Sequence, residues 1–269
     1  MERSSYRRRL MGQRMSRRDL LRAGVAAGVG VAVAGLTACD GADEAPPPAA
    51  RGGTSTQAVP SPAAHHTLPI RLPDPLLKGE MSLEETISRR RSRREFEEHP
   101  LTPGELSQIL WAAQGITDQE GLKRATPSAG ALYPLDLYVV VGKQGVEGLR
   151  EGAYHYLPQS HSLELLSGGD SRQALAQHAS EQMFIAEAPV IVVVTAEYQR
   201  TTKKYGERGV RYVHIEAGHV GQDICLQVQA LGLATVTIGA FQDEEVSRTL
   251  GLPPNHEPLY IIPVGHPKL

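Results

Sequence analysis

Val190-Ile191-Val192-Val193-Val194 is an unbroken β-branched run, and its reading decides the fold. A strand with one wet face alternates apolar and polar side chains, whereas a run without alternation suits a strand buried on both faces. Helical patterns flank it. Residues 172–184 read as a helix upstream. From 210 to 231 apolar positions recur at helical spacing, and Gly232 supplies the stop.

Further out, Ser82-Leu83-Glu84-Glu85 has a capping-box pattern, with Leu83 and Ile87 four residues apart. Thr102-Pro103-Gly104-Glu105 puts Thr at a cap and Pro at the first helical position, ahead of apolar Leu106, Ile109, Leu110 and Ala113. Residues 137–141 read as a strand, 154–157 and 163–166 as a hairpin, and 235–238 as another strand. Asp243 caps a short helix ending at Gly251, and strand 259–264 follows. Strands alternate with helices, but the hairpin interrupts them. The predicted class is α+β, a mixed α/β sandwich, with residues 81–269 as one domain.

The 269 residues carry 28 Lys and Arg against 30 Asp and Glu, a net charge of −2 that excludes a generally basic nucleic-acid binder. That average hides two parts. Residues 1–38 hold eight Arg against Glu2 and Asp19, a charge of +6, which leaves −8 on residues 39–269. Residues 23–38 are uncharged, Ala-, Gly- and Val-rich, and shorter than the roughly 20 residues a spanning helix needs. A basic start, a short apolar stretch and small residues at its end make an export signal. Within it, Ser16-Arg17-Arg18-Asp19-Leu20-Leu21 resembles a twin-arginine signal, and Leu36-Thr37-Ala38-Cys39 resembles a lipobox, in which cleavage precedes an acylated Cys39. A plain secretion signal or an uncleaved anchor are the other readings. Residues 39–80, rich in Pro, Ala, Gly, Ser and Thr, read as a lipid-anchored flexible linker. The second cysteine, Cys225, lies in the long helix, so acylation of Cys39 rules out an intramolecular disulfide.

Chemistry concentrates in four places. Arg89-Arg90-Arg91-Ser92-Arg93-Arg94 is a solvated face, a nucleic-acid patch or a phosphate site; the guanidinium fork matches phosphate. Thr126-Pro127-Ser128-Ala129-Gly130-Ala131-Leu132-Tyr133-Pro134 is a turn of small residues along which a flat ring could pass. Gly239-Ala240-Phe241 offers amides at a strand end, and Lys268 is a late cation. On the long helix, His214 and His219 stand five apart, about 140° round, and the H-E-x-x-H spacing is absent, so no metal is predicted. Tyr198, Tyr205, Tyr212 and Glu216 could reach a substrate or simply pack, and Trp111 reads as core.

Taken in order, residues 87–96, Pro127-Ser128-Ala129-Gly130-Ala131-Leu132-Tyr133-Pro134-Leu135, Ile238-Gly239-Ala240-Phe241 and Pro263-Val264-Gly265-His266-Pro267 resemble the FMN-dependent nitroreductase family. The second motif is similar to the SagB-type dehydrogenase branch, which includes azoline oxidases of peptide maturation. The resemblance implies a nitroreductase-like fold that binds FMN, with a homodimer whose interface holds the flavin. It puts Arg90 on the FMN phosphate, Ser92 on the phosphate or ribityl chain, and Arg91 at a further contact. Arg94 falls near the ribityl chain and the N1/C2 edge, where a cation stabilises the charge of the reduced ring. Pro127, Ser128, Ala129 and Gly130 would line the ring, Gly239 and Ala240 would present amides beside N5, and Lys268 would complete the phosphate site. Ala131 departs from the family's usual Asn, which leaves the substrate open.

The resulting expectation is an exported, lipid-anchored FMN oxidoreductase passing hydride or electrons through N5 to or from a small molecule. Export removes it from cytoplasmic NAD(P)H, so a membrane quinone is one expected partner. An azoline-type dehydrogenase of modified peptides and a flavin-binding lipoprotein without turnover are the alternatives.

Overall fold

The computed structural model describes residues 68–268. The export signal, Cys39 and the linker as far as residue 67 lie outside the described residues.

The β-branched run lies within strand β5 (Val190–Ala196), all of it buried, between β2 (Leu135–Val141) and β7 (Glu257–Gly265). Both pairings are antiparallel, with Val139 opposite Val192 and Ile262 opposite Val192 on the other side. Alternate residues feed two cores. Val190, Val192, Val194 and Ala196 enter one, and Ile191 and Val193 enter the other. The hairpin β3 (Gly152–Leu157) and β4 (Ser162–Gly168) extends the sheet beyond β2, β1 (Ile70–Arg71) lies outside β4, and β6 (Ala234–Thr235) edges β7. The seven-stranded order is β1-β4-β3-β2-β5-β7-β6.

Helices cover both faces. In chain order they are α1 (Leu83–Arg89), α2 (Pro103–Gln114), α3 (Arg172–His178), α4 (Phe184–Glu187), α5 (Gln199–Tyr205), α6 (Arg208–Ala230) and α7 (Asp243–Leu250). Leu106, Ile109, Leu110 and Ala113 of α2 meet Val213, Val220, Ile224 and Val228 of α6 in the first core. Leu175 of α3, Ile185 of α4, and Val246 and Leu250 of α7 fill the second. A fully buried Leu, Ile or Val contributes roughly 1.5–3 kcal/mol, so these two layers carry the sandwich. The mixed α/β sandwich is the observed architecture.

Local signals act as elementary physical chemistry dictates, with differences. Thr102 and Glu105 form a complete capping box, with Glu105 N–H donating to Thr102 Oγ1 at 3.2 Å and Thr102 N–H to Glu105 Oε2 at 2.7 Å. Ser82 caps α1, but the Glu85 carboxylate pairs with Arg89 at 2.8 Å instead of closing the box. Leu83 and Ile87, whose spacing announced that helix, are exposed. Gln242 and not Asp243 occupies the N-cap of α7, with Asp243, Glu244 and Glu245 in a first turn that suits the helix dipole. The helix expected over 172–184 is broken after α3 by left-handed Ser180 and Glu181, which lets Leu175 and Ile185 enter one core. The strand expected over 235–238 shrinks to β6. Its next partner on β7 would be Pro263, which has no N–H for the ladder; an isolated bridge joins Ile238 to Ile261.

The end of the segment read as linker lies on the domain. Ile70 and Arg71 pair with Leu163 and Ser162, and Leu72 is buried. Leu76 N–H donates to Gln108 Oε1 at 2.8 Å, and Ser107 Oγ donates to the Pro73 carbonyl at 2.6 Å. Backbone hydrogen bonds hold this stretch, and its composition gives no sign of them.

Candidate functional site

The arginine loop starts where α1 stops. Arg90 is the C-cap, its N–H donating to the Thr86 carbonyl. The chain then lies along the sheet edge and the C-terminal residues: Arg93 N–H donates to Thr235 O at 2.9 Å, Phe96 bridges Pro267, Glu97 N–H donates to His266 O, and Lys268 N–H reaches Glu95 O at 3.3 Å. This stitching brings Lys268 beside the loop, although its side chain lines a cleft of about 600 Å³ with Glu97, His99, Lys143 and Arg172. Among the described residues Arg89 pairs with Glu85, but no ion pair takes Arg90, Arg91, Arg93 or Arg94. Arg91 folds its guanidinium onto the carbonyls of Ser88 and Arg90 at 2.9 and 2.8 Å, and Arg94 sits 5.9 Å from the Phe184 ring centroid. Ser92 is exposed. Burial pushes the Cys225 thiol of α6 up, and the Arg90 charge draws it part of the way back.

Gly239 and Ala240 are exposed beyond β6, whose Thr235 carbonyl holds Arg93, and their N–H groups have no backbone partner among the described residues. They are available donors.

The small-residue segment belongs to another face. Ser128 Oγ donates to Glu216 Oε2 of α6 at 2.6 Å and accepts from Tyr133 N–H at 2.9 Å. Ala129–Ala131 form a 3₁₀ turn, with left-handed φ of 65° at Gly130, 54° at Ala131 and 46° at Tyr133. A Cβ on Gly130 would lie 2.7 Å from Tyr205 Oη and 2.9 Å from Lys204 Nζ, the mobile ends of two side chains, and the left-handed φ of 65° strains any other residue there. Pro127 and Gly130 are exposed, and Ser128 and Ala129 half-buried. Glu216 is 2% exposed. Burial pushes its carboxyl up to about 7 against the pull of Ser128 and Arg124. Tyr205 meets Tyr212 edge-on at 5.1 Å, and Tyr198 Oη lies 2.7 Å from His214 Nε2. Lys204 is the residue that sequence reading missed; a lysine ending a short helix carries no signal until its contact with a left-handed glycine is seen.

One helix separates the two groups. The Arg90 charge acts on Cys225 of α6, whereas Ser128 bonds Glu216 nine residues earlier and half a turn round, and Thr126 Oγ1 donates to Asp223 Oδ2 at 2.8 Å on the Glu216 side. The described chain therefore assembles Arg90, Arg91, Ser92 and Arg94 with the Lys268 backbone near β6, and Pro127, Ser128, Ala129 and Gly130 with α5 across α6. Among the described residues no hydrogen bond or ion pair joins the two loops.

A third cluster is structural. Arg200 of α5 lies 2.8 Å from Asp136 and 2.6 Å from Glu197, and donates to the Tyr133 carbonyl at 3.2 Å. Burial alone would raise Asp136, but His155, Arg200 and His256 hold its carboxyl below the usual range. This network ties α5 to β2 and to the end of the small-residue segment.

Comparison with known proteins adds the following. The family model described as Nitroreductase family matches residues 87–266. A protein of Methanocaldococcus jannaschii that carries the nitroreductase name is 47% identical over 199 residues, covering 74% of this chain and 96% of that one. The microcin B17-processing protein McbC of Escherichia coli is 27% identical over 161 residues, about half of each chain at 55%. A nitroreductase-titled crystal structure from Ralstonia eutropha superposes with a TM-score of 0.65 at 28% identity, covering 75% of this chain and 90% of that one.

Proposed function

The chain belongs to the nitroreductase family and is an oxidoreductase of flavin-dependent kind, and we propose that it uses FMN, bound between two copies of itself, to pass hydride or electrons to or from a small molecule. The observation that carries this is the arginine loop: four guanidinium groups and a Ser hydroxyl, free of carboxylate partners among the described residues, on a chain whose residues 39–269 carry −8. Such a cluster concentrates positive potential that favours an anionic ligand. The flavin fits the residues present. Arg90, Arg91 and Ser92 would hold the phosphate and Arg94 would face the ring's polar edge, whereas the Lys268 side chain lies in the neighbouring cleft with Glu97 and Arg172. The amides of Gly239 and Ala240, without backbone partners among the described residues, would face N5, and the exposed Pro127 and Gly130 would lie along the ring. Bound FMN would supply reversible two-electron chemistry at N5 with negative charge growing at N1 and O2. The protein's part is to fix the ring, neutralise that charge and leave one ring face open.

The positions of the loops relative to α6 support two copies, the second of which would present its own 127–130 segment to a ligand held by Arg90. The same reading includes a twin-arginine signal over 1–38, acylation at Cys39 and an extracytoplasmic, membrane-tethered enzyme whose partner is a quinone rather than NAD(P)H. Its support is the sequence pattern of residues 16–39. A second reading, an azoline-type dehydrogenase of modified peptides within the SagB-type branch, is favoured by the likeness to the microcin B17-processing protein.

Steady-state turnover of the purified protein with quinones, nitroaromatics and azoline peptides, and stopped-flow reduction by NADPH, separate these readings. Quinone turnover with slow NADPH reduction is expected. NADPH reduction as fast as turnover contradicts the quinone assignment, and turnover with peptides alone selects the second reading.

A further inference from the structure

We propose that Glu216 is a positioning residue: through Ser128, its carboxyl sets the conformation of residues 128–133, and a proton on that carboxyl switches the hold. Its functional meaning rests on the reading of Pro127, Ser128, Ala129 and Gly130 as the flavin-facing segment, while its geometry stands independently.

The Ser128 hydroxyl has one hydrogen, spent on Glu216 Oε2 at 2.6 Å, and a lone pair that accepts the Tyr133 N–H at 2.9 Å. Those two bonds clamp a strained segment. Ala131 and Tyr133 are non-glycine residues in the left-handed region, a conformation that persists only when the surroundings enforce it. The other restraints on it are Ala131 N–H to Ser128 O at 3.1 Å, Arg200 on the Tyr133 carbonyl, Arg124 N–H on Tyr133 Oη at 3.2 Å and the Arg124 guanidinium 4.6 Å from the Tyr133 ring centroid. Arginines keep their charge at any physiological pH, so these restraints are constant. Glu216 is the member that can change.

Its second oxygen, Oε1, is buried without a hydrogen-bond partner. Ionised, the carboxylate lacks a donor; protonated, it has a hydrogen without an acceptor. Neither form is fully satisfied, and burial leaves the two balanced at about 7. Arg124 is the charge that favours the anion, and Arg124 is itself shared with Asp136 and Arg200. From α5, Lys204 and Tyr205 meet Gly130; on α6, Tyr212 and His219 stand one turn away on either side; and α2 contributes the uncharged Gln114, which holds the Arg124 guanidinium at 2.8 Å. With Glu216 ionised, the Ser128 bond is charge-assisted and short. With it protonated, that bond falls to the strength of a neutral one.

The test is the Tyr133 amide resonance of the full chain, labelled with ¹⁵N-tyrosine and titrated from about pH 5 to about pH 9, without and with added FMN. The wild-type amide should shift with a midpoint near 7, and the shift should vanish in Glu216→Gln, which still accepts from Ser128, and in Ser128→Ala, which leaves the carboxyl but cuts the link. A wild-type amide that does not titrate, or one that titrates alike in both variants, overturns the proposal. Should Glu216→Gln fail to fold, Ser128→Ala decides alone. FMN affinity should rise about fivefold across this range in the wild type and stay flat in the variants, the change expected between a neutral and a charge-assisted hydrogen bond. A wild type that takes up no FMN sinks the flavin reading, and the amide titration still decides on Glu216.

Discussion

Ser128 bonds Glu216 on one face of α6, and Cys225, the α6 residue that feels the Arg90 charge, lies two and a half turns later on the opposite face. In the proposed dimer, a cofactor that needs both draws on two chains. The claim makes the arginine loop and the glycine turn separable in the laboratory.

Arg90→Ala should weaken FMN binding by about 10- to 100-fold, the loss of one charge-assisted hydrogen bond to phosphate, with the melting temperature of the flavin-free protein unchanged. Fluorescence titration measures the first and a thermal melt the second. Retained affinity removes Arg90 from the phosphate site.

Gly130→Val should abolish FMN uptake, because a side chain there strikes Tyr205 Oη and Lys204 Nζ and strains a φ of 65°. Mixed with Arg90→Ala after reversible dissociation, it should regain FMN binding at one site of the hybrid, made from the intact loop of each copy. Absence of any recovery contradicts a site shared between copies.

Glu216 also leaves a mark on stability. Its folded carboxyl titrates up to about 7, above the unfolded value, so the folded state holds the proton longer. Its contribution is full below the unfolded value and is lost as pH rises to about 7, by roughly 1–3 kcal/mol. Melts of wild type and Glu216→Gln at about pH 5 and about pH 8 should therefore diverge in favour of the variant at the higher pH. A constant difference contradicts the titration.

His161 should act in the opposite sense. Its Nδ1 lies 2.8 Å from Tyr156 Oη, and its Nε2 lies 3.0 Å from the Pro73 carbonyl. Burial lowers its pKa despite the Pro73 bond and the Asp74 charge. Its support is present above the ordinary histidine value and is lost as pH falls through its lower folded one. Amide exchange at Leu72 and Leu76, corrected for intrinsic pH dependence, should speed up in acid, and His161→Gln should flatten that response. Acid-insensitive protection contradicts it.

Much of this architecture was legible because its signals are local. The β5 run has no alternation because both its faces are covered, Thr102 and Glu105 satisfy each other's backbone donors, and Gly232 at φ 73° ends α6. What escaped depends on contacts distant in sequence. Residues 68–80 look like tether by composition, yet dock through Leu72, Gln108 and Ser107. The break at Ser180 and Glu181 follows from packing, and the early end of β6 from a proline 28 residues away on another strand. Within the site, the motifs marked both loops, but their separation by α6 and the meeting of Lys204 with Gly130 exist only in three dimensions.

Cys39→Ser should release the protein from membranes into the soluble extracytoplasmic fraction, as read by fractionation and by loss of labelled fatty acid. Unchanged membrane association contradicts acylation at Cys39.

The most direct measurement is the visible spectrum of the purified full chain, followed by mass identification of the flavin released on denaturation. A yellow protein releasing FMN at one per copy is the predicted result. A colourless protein that cannot be reconstituted with FMN would contradict the account at its centre.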